Sequence, residues 1–108
     1  MSGLSEKQVR RILKRQFPKM NHATCRAMEI LFGHLVQRLP FVHLPSNLDY
    51  LALVDPSLTT KCLIHLVCED LRAGGNAPIY IKVKPVEGQI GGDEGWVQIF
   101  FREWQGGK

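Results

Sequence analysis

Hydrophobic positions recur at helical spacing in three stretches of this chain and at alternate positions in two others. In the first stretch Val9, Ile12, Leu13 and Phe17 share one face, and lysines and arginines fill the other. Ser5 followed three residues later by Gln8 forms a capping box. Leu4 and Val9 fall at the two positions of a hydrophobic staple, so a helix is expected to start here. Pro18 ends it. So short a helix has to dock on something to persist. Asn21 caps a second helix, expected to run to Pro40 with Met28, Leu31, Phe32, Leu35 and Leu39 in one stripe. Arg26, Gly33 and Gln37 lie opposite that stripe.

The third helical stretch, residues 55–73, is the most apolar. Asp55 suits the N-cap and Pro56 the first helical position, while Gly74 and Gly75 supply a left-handed stop. Only the arc of Lys61, His65, Glu69 and Arg72 is clearly polar. Leu58, Cys62, Leu63, Ile64, Leu66, Val67, Cys68 and Leu71 cover most of the rest. A helix of this kind is expected at the centre, packed from more than one direction. Before it, residues 41–44 form a brief extended piece between Pro40 and Pro45. In residues 46–54, Ser46 and Asp49 form a weak cap ahead of Leu48, Leu51, Ala52 and Val54, which favours a short helix. Leu48, Tyr50, Ala52 and Val54 also alternate as in a strand, and periodicity does not separate the two readings in so short a run.

After the third helix the period changes to two. Ile79, Ile81 and Val83 alternate with Tyr80, Lys82 and Lys84. Val97, Ile99 and Phe101 alternate with Trp96, Gln98, Phe100 and Arg102. Both runs are rich in β-branched and aromatic residues, as strands are. Residues 85–95 between them contain four glycines and form a long loop of an antiparallel pair.

From Asn21 onward the order is therefore helix, short strand, short helix, long helix, strand, long loop, strand. This order resembles the winged-helix arrangement, with residues 46–73 as the helix-turn-helix and the Gly-rich loop as the wing. The resemblance lies in element order, without a residue motif. It implies an α+β, winged-helix-like domain over residues 21–104, preceded by a basic N-terminal helix in residues 1–20 and followed by a disordered tail, 105–108. If residues 48–54 form a strand instead, the chain becomes a small α+β sandwich.

Composition adds limits. A chain of 108 residues with 44% hydrophobic and 22% charged residues can bury a core without disulfides or metal. No apolar run approaches the roughly 20 residues of a membrane span, and no secretory signal is visible. Three cysteines, Cys25, Cys62 and Cys68, all fall in apolar helical stretches. The odd count favours reduced, buried thiols in an intracellular compartment, cytoplasmic or nuclear.

Charge is unevenly placed. The net charge is +4, but residues 1–20 carry six cations against Glu6, which is +5, so the remainder is −1. Clustered cations release counterions when they neutralise phosphates. Nucleic acid, DNA or RNA, is therefore the leading expected partner, contacted by Lys7, Arg10, Arg11, Lys14, Arg15 and Lys19, with Lys61 and Arg72 in support. An anionic membrane surface and a partner that grips basic helices are rival readings, and a solvated face is the plain one. On the third helix Thr60, Lys61, His65 and Arg72 suit base-edge or phosphate contacts, but Glu69 interrupts them. The acidic loop residues Glu87, Asp93 and Glu94 oppose a phosphate backbone.

The alternative function is a protein-interaction or self-assembly module. On the strands, Tyr80, Lys82, Trp96, Phe100 and Arg102, with Trp104 just beyond, form an expected partner-binding face of aromatics and cations. Such a face suits hot spots of protein interfaces and equally suits base stacking, unless the N-terminal helix covers it. Catalysis has no support. Cys62, His65 and Cys68 at i, i+3, i+6 span about 9 Å of helix axis, too far for one tetrahedral ion to take all three. No orienting carboxylate accompanies them, and the Gly-rich loop lacks the lysine of a phosphate cradle. Neither an enzyme nor a cofactor or metal site is expected.

Overall fold

The computed structural model describes residues 3–44, 56–86 and 95–103. Among these are three helices, α1 (Glu6–Gln16), α2 (His22–Val36) and α3 (Pro56–Arg72), and three strands, β1 (Phe41–His43), β2 (Ile79–Pro85) and β3 (Trp96–Arg102). The fold class is α+β, with a small antiparallel sheet in the order β1-β3-β2. The element expected in residues 46–54, the Asp55 cap, the loop residues 87–94, Trp104 and the tail lie outside the described residues.

α1 starts as its sequence dictates. The Ser5 hydroxyl accepts the Gln8 N–H at 3.2 Å, and the Gln8 side chain accepts the Ser5 N–H at 2.8 Å. Val9, Ile12 and Leu13 are buried, and Leu4 and Phe17 pack beside them. They enter the same core as the rest of the chain: α1 lies on α2 and α3, and α3 in turn lies on the sheet. α2 begins where Asn21 caps it, accepting the Thr24 N–H at 2.8 Å.

α2 ends at Val36, short of the expected Pro40. Arg38 takes a left-handed conformation, φ 59°, and the Leu39 N–H returns to the His34 carbonyl at 2.9 Å. Leu39 therefore leaves the core stripe and is exposed. A left-handed turn usually takes glycine. Here side-chain bonds hold an arginine in it. The Arg38 guanidinium donates to both carboxylate oxygens of Glu103 at 2.9 Å and to the carbonyls of Val36 and Asn76 at 2.7 Å. The end of α2, the turn before β2 and the end of β3 meet at this one side chain.

A second junction closes the chain's other corner. Asp70 is buried near the end of α3 and accepts the Leu4 N–H at 2.9 Å and the Ala77 N–H at 3.2 Å. Gly74 supplies the positive φ of 84° that stops α3. At Gly75 the reason is space, because a Cβ would run into the Asp70 carboxylate.

In the sheet, Val42 pairs with Val97 and Val83 with Ile99, and all four point into the core. Ile79 and Phe101, also expected to face inward, are half-buried against it. The other face therefore carries Phe41, His43, Trp96, Gln98, Phe100, Lys82 and Lys84. Between the pairs Ile79–Arg102 and Lys82–Phe100, two residues of β2, Tyr80 and Ile81, stand opposite Phe101 alone, a β-bulge.

Candidate functional site

Two surfaces point away from the core on different sides of the molecule. The first is the solvent side of α1, opposite the face that buries Val9, Ile12 and Leu13. Lys7, Arg11, Lys14 and Arg15 are exposed there, and among the described residues none of these side chains has an ion-pair or hydrogen-bond partner. Lys7, Arg10, Arg11 and Lys14 line one shallow depression. Arg10 is engaged: it pairs with Glu29 at 3.2 Å, and this bond raises its pKa above the ordinary arginine value. Arg11 and Arg15 share a second depression with Arg72 and Glu69 at the α1–α3 seam. Arg72 is held to Glu69 at 3.1 Å.

The expected phosphate contacts thus divide into three places. Lys7, Arg10, Arg11, Lys14, Arg15 and Arg72 lie on and beside the open side of α1. Lys19 lies at the α1–α2 turn, beside a mostly apolar hollow of about 540 Å³ lined also by Phe17, Met20 and Leu58. Lys61 is remote from both. It joins Lys82 and Lys84 around a groove of about 480 Å³ between α3 and β2, floored by Ile64 and Val83.

α3 does not present its polar arc freely. The side carrying His65 and Glu69 is turned to α1, and the His65 ring meets Phe17 edge-on at 5.9 Å. Nε2 of His65 is buried and makes no hydrogen bond, with the Glu69 carboxylate 4.0 Å away. The open ridge of α3 is Lys61, Ile64, Cys68 and Leu71, with Ile64 46% and Leu71 37% exposed. This corrects the expectation that all three thiols are buried. Cys68 is exposed because it lies on the ridge that neither α1, α2 nor the sheet covers. Burial pushes the Cys62 thiol up to about 11 and raises Cys25 as well, so both stay protonated at neutral pH. With Cys62 inside and Cys68 outside, the two face different surroundings. Among the described residues no group of three His, Cys, Asp or Glu is placed to hold a metal ion. No helix among them is long and apolar enough to cross a membrane.

The second surface is the outer face of the sheet. Tyr80 is 63%, Phe41 52%, Phe100 40% and Trp96 38% exposed. α1 does not cover Trp96 and Phe100, because its own apolar side is taken up by α2 and α3. His43 and Trp96 are directly paired, their ring centroids 5.0 Å apart. The Arg102 guanidinium lies 5.0 Å over the Tyr80 ring. Lys82 stands directly across from Phe100, and Lys84 from Gln98. Tyr80 has a φ of 56° at the bulge. A bulky side chain in that region carries about 1–3 kcal/mol of strain. Alternation grouped Tyr80, Lys82, Trp96, Phe100 and Arg102, and missed Phe41 and His43, which β1 brings to the same face. It gave no sign of the bulge or of the backbone that turns Tyr80 outward. No family model, no curated protein and no solved structure matches the chain.

Proposed function

We propose that this protein is a non-enzymatic, intracellular nucleic-acid-binding module, with α1 as its phosphate contact. One observation carries the reading: Lys7, Arg11, Lys14 and Arg15 are exposed, and unpaired among the described residues, on a helix whose other side is locked into the core. Cations held at fixed spacing on a docked helix meet a polyanion with less ordering entropy than a floppy basic tail. The winged-helix-like reading of the fold is supported by the early short strand β1 joining the outer side of the β2–β3 hairpin. In that arrangement α3 would be the reading helix, but its open ridge is largely apolar, so phosphate contact falls to α1. A cytoplasmic or nuclear setting fits the three unbridged cysteines.

The test is fluorescence anisotropy with labelled duplex DNA, single-stranded DNA and RNA over a salt series. Binding is expected to weaken steeply with salt. The triple variant Lys7→Glu, Arg11→Glu, Lys14→Glu is expected to lower the slope of log affinity against log salt by about 3 for duplex. An unchanged slope removes α1 as the contact.

A protein-interaction or self-assembly role is the second reading, and the uncovered Ile64–Cys68–Leu71 ridge favours it. Sedimentation separates the two. Association at micromolar concentration that Ile64→Asp abolishes would support assembly, and a strict monomer would remove self-assembly.

A further inference from the structure

We infer that the outer face of the sheet is a stacking platform for a single nucleic-acid strand, with bases on Trp96 and Phe100 and phosphates along the β2 edge. This rests on the nucleic-acid reading above and names the strand form that the protein takes. It adds a surface on the side of the molecule away from α1.

The arrangement is chemically lopsided in a way that fits a strand. On the central strand β3, Trp96 and Phe100 present their rings outward with Gln98 between them. Residues four apart in a strand are about 13 Å apart. That spacing leaves room for a base on each ring and one between them, over an amide that both donates and accepts. Lys82 and Lys84 occupy the positions directly across from Phe100 and Gln98 on β2, one of the two edge strands. Cross-strand neighbours stand about 5 Å apart, so a base resting on Phe100 has its phosphate within reach of Lys82. Lys61 continues the cationic margin into the groove beside β2.

The β1 side carries no matching charge. His43 and Phe41 lie there, and no carboxylate stands on the outer face among the described residues. Cations on one margin and π faces across the middle complement a chain that is anionic along one side and aromatic along the other. A protein segment with alternating carboxylates matches the charge but not the flat rings. Duplex DNA buries its base faces, so it can use the lysines and not the platform. Tyr80 closes one end of the face. The bulge holds its ring outward with Arg102 stacked on it, a pairing that extends the platform toward the end of β3.

The probes are a labelled uridine oligonucleotide, an abasic strand of the same length and charge, and a duplex, titrated by anisotropy against the full chain. The uridine strand is expected to bind about tenfold or more tighter than the abasic strand. Phe100→Leu keeps apolar area but lacks a π face and is expected to erase that preference; Phe100→Tyr is expected to keep it. Both substitutions are at an exposed position, and circular dichroism melts check that each variant folds. In a Trp104→Phe background, Trp96 emission is expected to be quenched by the uridine strand and not by the abasic one.

Equal binding of uridine and abasic strands overturns the inference while leaving the α1 contact standing. Identical behaviour of Phe100→Leu and Phe100→Tyr overturns it in favour of a protein-docking patch. Failure of all three probes at low salt overturns both readings together.

Discussion

The open side of α1 and the outer face of the sheet are both cationic, and they are built on different principles. On α1 the charges stand on successive turns, each with its stem on a helix whose opposite face is fully spent in the core. Nothing apolar is left uncovered there. On the sheet the charges, Lys82, Lys84 and Arg102, flank exposed rings that the core does not use. A helix can divide itself into a buried stripe and a solvated stripe, so a basic helix is complete once docked. A three-stranded sheet whose described helices lie on one side leaves its other face to composition. Here that composition is aromatic. In the proposed function the first surface would attract a polyanion, and the second would hold its bases.

The largest expected effect comes from separating α1 from the domain. Leu13 is fully buried, and Leu13→Ala is expected to lower stability by about 2–5 kcal/mol in a denaturant titration. Affinity for duplex should fall with the folded fraction. A change below about 0.5 kcal/mol would mean that α1 is an appendage, not part of the core.

A smaller effect is expected at the bulge. Tyr80→Gly relieves the left-handed strain but gives up the Arg102 contact and adds chain entropy. These offset, so stability should change by less than about 1 kcal/mol, while binding of the uridine strand weakens. A clear loss of stability without a binding change would make Tyr80 a structural residue.

The smallest effect concerns pH. The hydrogen bonds from Arg38 hold the Glu103 carboxyl below its usual range. A carboxylate with a depressed folded-state pKa contributes stability that is present above its unfolded pKa. That contribution is lost as pH falls through the folded value. Stability should therefore fall on acidification below the ordinary glutamate range, and Glu103→Gln should remove this part of the dependence while lowering stability at neutral pH. An unchanged acid limb in Glu103→Gln would show that the pair does not fasten β3 to α2.

Much of this architecture is legible in the sequence. The capping box at Ser5 and Gln8, the cap at Asn21 and the two alternating runs each follow from local chemistry, and each is where it was expected. The long-range junctions were not legible. Arg38 sits where glycine usually stands, and its partner Glu103 is 65 residues away. Nothing local to Asp70 marks it out, yet it ties Leu4 to Ala77. The open side of α3 was also hidden. Helical periodicity placed a polar arc on it, but which arc stays open depends on where α1 docks. That is a tertiary choice: α1 lies over His65 and Glu69 and leaves Ile64, Cys68 and Leu71 in solvent. Charge alone grouped the α1 cations, four of which line one depression, while Lys61 lies instead with Lys82 and Lys84.

The most direct test of the two proposed nucleic-acid surfaces is backbone NMR shift mapping during titration with a uridine oligonucleotide and, separately, a duplex. The duplex is expected to shift amides of residues 7–15 and, beyond them, only those at Lys82 and Lys84, while the single strand shifts residues 7–15 together with residues 80–84 and 96–102. Shifts confined to the Ile64–Leu71 ridge, or none at either surface, would contradict the account.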